Sequence, residues 1–217
     1  MRLRQLFACL ATLAVAISLP RPVDGQLASR PAEEWTKTLA AANRVQGLRV
    51  DDIIARLRLK PGDVVADLGA GPGLFSLPFA KAVSPTGKVY AVEIDQGFLD
   101  TIRTKAVEER ISNVQGVLGK FEDPSLPAAD VDVAFFHDVL HHIQDRAGYL
   151  KNLARYVRPG GRVVIIDLTP EGSPHRAQPE LVVTKDQATG WMADAGFKPV
   201  EEITDLFTDK WFVVYSR

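Results

Sequence analysis

A doubly wound α/β fold is what the sequence predicts: a mostly parallel seven-stranded sheet with an antiparallel last strand and helices on both faces. Three observations predict it. From residue 63 onward, apolar runs of strand length alternate with segments of helical spacing, the order that builds a parallel sheet through crossover connections. The first run, Val64-Val65-Ala66-Asp67-Leu68, passes straight into the glycine-rich turn Gly69-Ala70-Gly71-Pro72-Gly73, a join that lets an open sheet meet a ligand at its carboxyl edge. Two closely spaced strands end the chain, near 198–203 and 211–216, with too short a connection for a crossover, so they are expected to run antiparallel.

The elements follow in order. Arg2 and Arg4 precede an uncharged, apolar-rich stretch over 6–19, broken by Pro20, Pro22 and Gly25. A basic start, an apolar middle and a turn-rich exit describe a secretory signal peptide, here 1–25 with cleavage after Gly25. The stretch is short for a bilayer span, so an uncleaved anchor is the alternative. Either way the N-terminal segment is expected to engage the membrane or secretion machinery, with the rest exported as a periplasmic or secreted protein. Residues 26–62 read as a helical preface: 33–45 and 50–59 carry apolar spacing near three and four, closed by Pro61-Gly62. The domain proper is 63–217. Its expected strands are 63–68, 88–93, 113–118, 131–136 and 161–168, with helices over 74–83, 97–109 and 145–157. Pro78 fits early in the first of these helices, where its missing N–H falls among donors that have no partner in any case. Thr184-Lys185-Asp186-Gln187 is a capping-box pattern that opens a last helix, with Gly196 as its stop.

Composition excludes several functions. Without residues 1–25 the chain keeps 23 basic and 26 acidic residues and no basic run, so no nucleic-acid partner is expected. The single cysteine, Cys9, lies in the leader; the exported chain would have no disulfide, thiolate ligand or thiol nucleophile.

The glycine turn departs from a dinucleotide cradle. After Gly69 and Gly71 the third glycine comes one residue early, at Gly73, with Leu74 in the expected place. Pro72 removes an N–H donor that a pyrophosphate would use. Asp67, two residues before the first glycine, would repel a pyrophosphate and attract an ammonium group, although an N-cap or turn role is its simpler reading. Glu93 ends the second strand about twenty residues after the turn, the usual place for an acid that takes ribose hydroxyls.

These residues resemble a known family, the class I S-adenosylmethionine-dependent methyltransferases. The first family motif is similar to Val65-Ala66-Asp67-Leu68-Gly69-Ala70-Gly71-Pro72-Gly73 and the second to Ala91-Val92-Glu93-Ile94-Asp95. The similarity continues through Phe136 to Ile143, Arg158-Pro159-Gly160-Gly161-Arg162 and Ala195-Gly196-Phe197, so it spans roughly 48–217. The resemblance implies S-adenosylmethionine as cofactor. Asp67, Gly69, Ala70, Gly71 and Gly73 would hold its methionine part, with Asp67 accepting from the amino group directly or through water. Glu93 would bind the ribose and Ile94 would lie against adenine. Many relatives carry an acid after the next strand's glycine, but here Lys120 follows Gly119; Glu122 or Asp123 could substitute, and Phe121 could stack on the base. His137 and Asp138 correspond to positions that border the transferred methyl.

All four histidines, His137, His141, His142 and His175, fall just after the fourth and fifth strands, at the expected carboxyl edge. With Asp138, the first three are the candidate catalytic set. Imidazole suits a general base near neutral pH, while packing within the loop is the simpler reading. His137 and His141 could ligate a metal with Asp138 or His175, but spacing alone does not show that they converge, so no metal site is assigned. Asp167 and His175 would reach an acceptor from the loop after strand five. The expected activity is methyl transfer to a small-molecule acceptor. Its rivals are an exported binding protein that has lost transfer, and a nicotinamide-dependent oxidoreductase, which the missing glycine at 74 and the acid at 67 disfavour.

Overall fold

In the computed structural model the described residues are 32–217. The expected leader, 1–25, and the first residues of the helical preface lie outside them. Three short helices open the described chain, α1 (Ala32–Leu39), α2 (Ala42–Gly47) and α3 (Val50–Leu57). The sequence reading joined the first two into one; the chain instead turns at Ala40 and Ala41 between them. Alternation then begins: β1 (Val64–Leu68), α4 (Ser76–Ala82), β2 (Lys88–Glu93), α5 (Gln96–Glu108), β3 (Val114–Leu118), β4 (Val131–His137), α6 (Arg146–Leu153) and β5 (Val157–Leu168). Helix α7 (Lys185–Asp194) and the pair β6 (Lys198–Glu202) and β7 (Lys210–Ser216) complete it. Among the described residues no helix is long and apolar enough to cross a membrane.

The strands form one sheet in the order β3-β2-β1-β4-β5-β7-β6. The first five are parallel, and β7 runs antiparallel to both β5 and β6. β4 is apolar and buried on both faces (Val131, Val133, Ala134, Phe135, Phe136) because helices cover both sides of a parallel sheet. Alternate residues of a strand then divide between two cores. Ala66, Leu68, Ala134 and Phe136 pack toward α6 and α7, while Val65, Val133 and Phe135 pack toward α3 and α4. Ala91 joins Leu99, Ile102 and Ala106 of α5 in a third cluster.

Helix boundaries follow local chemistry. α4 starts at Ser76 rather than 74 because 71–75 are taken up in the turn, and this puts Pro78 in the first turn, where no N–H is missed. Asp95 caps α5 by accepting from Gly97 N at 2.7 Å. The Thr184–Gln187 capping box is formed in both directions at α7. β5 begins at Val157, four residues ahead of the expected start at 161. Between Val157, paired with Val131, and Arg162, paired with Val133, the register slips. The Pro159-Gly160-Gly161 segment, expected to precede the strand or only to open it, is therefore an irregularity inside it.

A candidate cofactor and acceptor site at the carboxyl edge

Chain order reverses at β1: the chain steps outward to β2 and β3, then returns to β4 on the other side. Crevices form at such a switch point, and here a cavity of about 430 Å³ opens over the carboxyl ends of β1, β2 and β4. That volume falls within the range of small-molecule pockets.

The glycine turn forms its floor. Gly69 N and Ala70 N both donate to Val92 O, at 2.9 and 3.0 Å, which folds the turn down onto β2. Gly69 has φ +70°, and a Cβ there would lie 2.5 Å from Val139 Cγ2. Gly71 N donates to Glu93 Oε1 at 2.7 Å, and Ile94 N donates to Oε2 at 2.9 Å. The Glu93 carboxylate thus holds the turn as well as facing the cavity. Its burial pushes its pKa up, against the pull of these two N–H donors.

Asp67 and Gly73 stand apart from the other predicted cofactor residues, because neither lines the cavity. Asp67 is 3% exposed, behind the turn, and accepts from Ser76 Oγ at 2.5 Å. Burial pushes its carboxyl up to about 7; the Ser76 bond opposes this and the Glu93 charge adds to it. Gly73 meets a helix instead of a ligand: a Cβ there would come 2.9 Å from Ile102 Cγ1 of α5. Gly69, Ala70, Gly71, Glu93, Ile94, Lys120 and Phe121 do line the cavity, joined by Phe98 and Gly119. Ile94 and Phe121 are 43% and 61% exposed, two apolar surfaces open at the base end. The suggested substitutes for the missing acid do not reach it. Glu122 and Asp123 are outside the lining, and Asp123 is tied to Tyr156 Oη at 2.9 Å and Arg155 Nη2 at 2.6 Å.

The opposite end is built from histidines, all four of which line the cavity. His137, at the end of β4, is buried against Phe75 with ring centroids 5.0 Å apart. Asp138 follows with φ +57° and accepts from Lys210 Nζ at 2.5 Å. Burial alone would raise the Asp138 pKa; the facing charges of His137 and Lys210 overcome this and hold it below the ordinary carboxylate value. That makes Asp138 a fixed anion, poorly suited to take a proton. His141 is held by Asp167, which does not line the cavity: Oδ1 lies 2.5 Å from His141 Nδ1 and Oδ2 accepts from His141 N at 3.1 Å. This pairing places the proton on Nδ1 and leaves the lone pair on Nε2. Burial, with the charges of His141 and His175, pushes His142 down to about 4.

Sequence reasoning missed other contributors. Leu39 of α1 and Leu48 of the α2–α3 connection cover the cavity, and Val139, Gln144, Tyr149 and Pro174 add to its wall. Leu48 lies between the two segments whose apolar spacing is readable, 33–45 and 50–59, so no pattern marks it. No local signal pairs Asp138 with Lys210 across 72 residues.

The residues fit the implied cofactor: an acid at the second strand tip, a glycine floor with close backbone, and open apolar surfaces beyond Glu93. Residues 66–165 match the methyltransferase domain family. Residues 66–165 carry a class I S-adenosylmethionine-dependent methyltransferase domain. The methyltransferase fold is also that of a SAM-dependent methyltransferase from Aquifex aeolicus, with a TM-score of 0.76 at 22% identity over 86% of this chain and 98% of that one. Magnesium protoporphyrin IX methyltransferase from Synechocystis, solved with bound SAH, gives 0.68 at 18% identity over 85% and 93%. In sequence, the ubiquinone/menaquinone biosynthesis C-methyltransferase of Ectopseudomonas mendocina is 28% identical over 54% of this chain and 46% of its own length. The chain spans about half the length, or less, of the first curated relatives it matches. S-adenosylmethionine is the cofactor of this methyltransferase domain.

Proposed function

We propose that this protein transfers a methyl group from S-adenosylmethionine to a small, hydroxylated aromatic acceptor held at the histidine end of the cavity. The observation that carries this reading is continuity: Glu93 and the glycine floor at one end and all four histidines at the other line a single cavity. When bound, the cofactor supplies a methyl group activated on a sulfonium. The protein's work is then to align the acceptor and exclude water, which can lower the barrier by about 7–11 kcal/mol.

The residues divide that work. Glu93 accepts from the ribose hydroxyls while keeping Gly71 N–H and Ile94 N–H in place. Ile94 and Phe121 flank the adenine. Asp67 acts from behind the turn, so its contribution to the amino group passes through water or through the backbone it steadies. His137 borders the methyl. His141, fixed by Asp167, and its neighbour His142 meet the polar groups of the acceptor. An aromatic acceptor suits the apolar surfaces of Phe75, Leu39, Leu48 and Tyr149 that share the cavity with the histidines, and one relative is named for methylation in quinone biosynthesis.

Calorimetric titration of the full chain with S-adenosylmethionine and with NADH, followed by radiolabelled methyl transfer to a panel of phenols and hydroquinones, tests the proposal. Binding of the first cofactor only, lost in Glu93→Ala, with label in an aromatic acceptor, is expected. Binding of NADH, or of neither, overturns it. Tight S-adenosylmethionine binding without label in any phenol or hydroquinone favours the binding-protein alternative and rejects this acceptor class.

A further inference from the structure

The 3₁₀ turn Leu140–His142 sets His141 and His142 side by side, with ring centroids 4.0 Å apart. The segment after β5 brings His175 to 5.5 Å from the first and 5.7 Å from the second. One ring nitrogen from each of the three lies within 4.8 Å of the others, a grouping of potential ligands found nowhere else among the described residues. Two of the rings are also held from behind. Asp167 Oδ1 is 2.5 Å from His141 Nδ1, and Gln178 Oε1 is 3.3 Å from His175 Nδ1. Asp167 is itself fixed by Leu168 N at 2.8 Å. An oxygen acceptor behind Nδ1 fixes the tautomer and leaves Nε2 as the donor to an ion, the arrangement common to metal-bound histidines.

We propose that His141, His142 and His175 bind a divalent transition-metal ion, zinc in the first place. Three imidazoles and no thiolate suit zinc and its first-row neighbours and disfavour calcium or magnesium, which take oxygen ligands. Zinc–nitrogen bonds of about 2.0–2.1 Å in a tetrahedral site put the nitrogens ~3.3 Å apart. The rings therefore draw in by about 1.5 Å at most, by rotations available to half-buried His142 and His175 on a turn and a loop. Three protein ligands leave a fourth position. Because all three histidines line the cavity, that position takes water or an acceptor oxygen. The metal site does not depend on methyl transfer; only the identity of its fourth ligand rests on the function proposed above.

The test uses the full chain carrying Cys9→Ser, so that its single cysteine adds no ligand. After chelator treatment it is titrated with Co²⁺ followed by optical absorption, then with Zn²⁺ in competition. The expected result is one Co²⁺ per chain, visible absorption of a low-coordinate nitrogen site, and displacement by Zn²⁺. His142→Ala and His175→Ala should each weaken Zn²⁺ binding at least ~tenfold, and Asp167→Asn by roughly 10–100-fold. Circular dichroism and urea unfolding of the same samples show that each variant is folded, and S-adenosylmethionine calorimetry is run beside them. Less than a tenth of an equivalent of Co²⁺ bound, or binding unchanged in both His142→Ala and His175→Ala, overturns the proposal. A chain that binds metal but not S-adenosylmethionine counts against the proposed function and leaves the metal site standing.

Discussion

Replacing Asp67 by asparagine isolates the energetic role of the first strand's carboxylate. In the folded chain burial pushes this group up to about 7, whereas an aspartate in the unfolded chain titrates near ~3.9. Between those values the native state binds the extra proton, so stability must fall as pH rises. The contribution is fully present below about pH 4 and is lost as pH passes through about 7. Each unit of separation corresponds to about 1.4 kcal/mol, which sets a ceiling of about 4 kcal/mol. Asparagine has nearly the same shape, does not titrate and keeps an acceptor for Ser76 Oγ, which now donates at 2.5 Å. Urea unfolding of parent and Asp67→Asn, followed by tryptophan fluorescence in steps from pH 5 to 8, gives two stability curves. Their difference should shrink by about 2–3 kcal/mol at the expense of the parent as pH rises. Groups that titrate alike in both chains cancel. A difference that stays flat over this range would refute the reasoning, because a carboxyl that ionises at its ordinary value has finished titrating by pH 5.

Glu93→Gln should raise the S-adenosylmethionine dissociation constant by at least ~100-fold, since two charge-assisted hydrogen bonds of about 1.5–3 kcal/mol each are weakened. It should also lower unfolding stability by about 1–3 kcal/mol, because an amide NH2 would face either Gly71 N–H or Ile94 N–H; calorimetry and urea unfolding read the two effects separately. Gly69→Ala, at φ +70° with a Cβ 2.5 Å from Val139 Cγ2, should cost about 2–5 kcal/mol from backbone strain and overpacking together. Adding Val139→Ala should relieve the clash but not the backbone strain, a partial recovery visible in the urea midpoint. Lys210→Met should cost up to about 3–5 kcal/mol by removing the cation that donates to buried Asp138 and leaving it only the His137 ring, and Asp138→Asn in the same chain should restore much of it in thermal or urea unfolding.

Much of the architecture was legible because parallel strands buried on both faces are written as short apolar runs, as Val131 to Phe136 illustrates. The joining of Glu93 to the glycine turn at one end of the cavity was legible because both are local patterns with a physical need for those residue types. Spacing could not tell which glycines face a ligand. Gly71 lies on the cavity floor, whereas Gly73, two residues on, makes room for Ile102. Nor could it show convergence: His175 lies 33 residues beyond His142, and only the fold places their rings 5.7 Å apart. The spacing that first suggested a metal set, His137 with His141, was misleading. His137 packs against Phe75, and His142 takes the third place in the group.

The reversed strand β7 gives this rim an unusual supplier. The parallel strands β2, β4 and β5 deliver their last residues, Glu93, His137 and Leu168, to the cavity, but β7 delivers its first, so Lys210 arrives beside Asp138 straight from the β6–β7 hairpin. The same hairpin carries Phe207, whose ring meets His137 edge-on at 6.3 Å. Insertions or exchanges within 203–209 would therefore remodel the wall beside His137 and Asp138 while the Glu93 end, four strands away, keeps its shape. Under the function proposed above, evolution and protein engineering alike have a dial here that turns acceptor preference without touching Glu93 and the glycine floor.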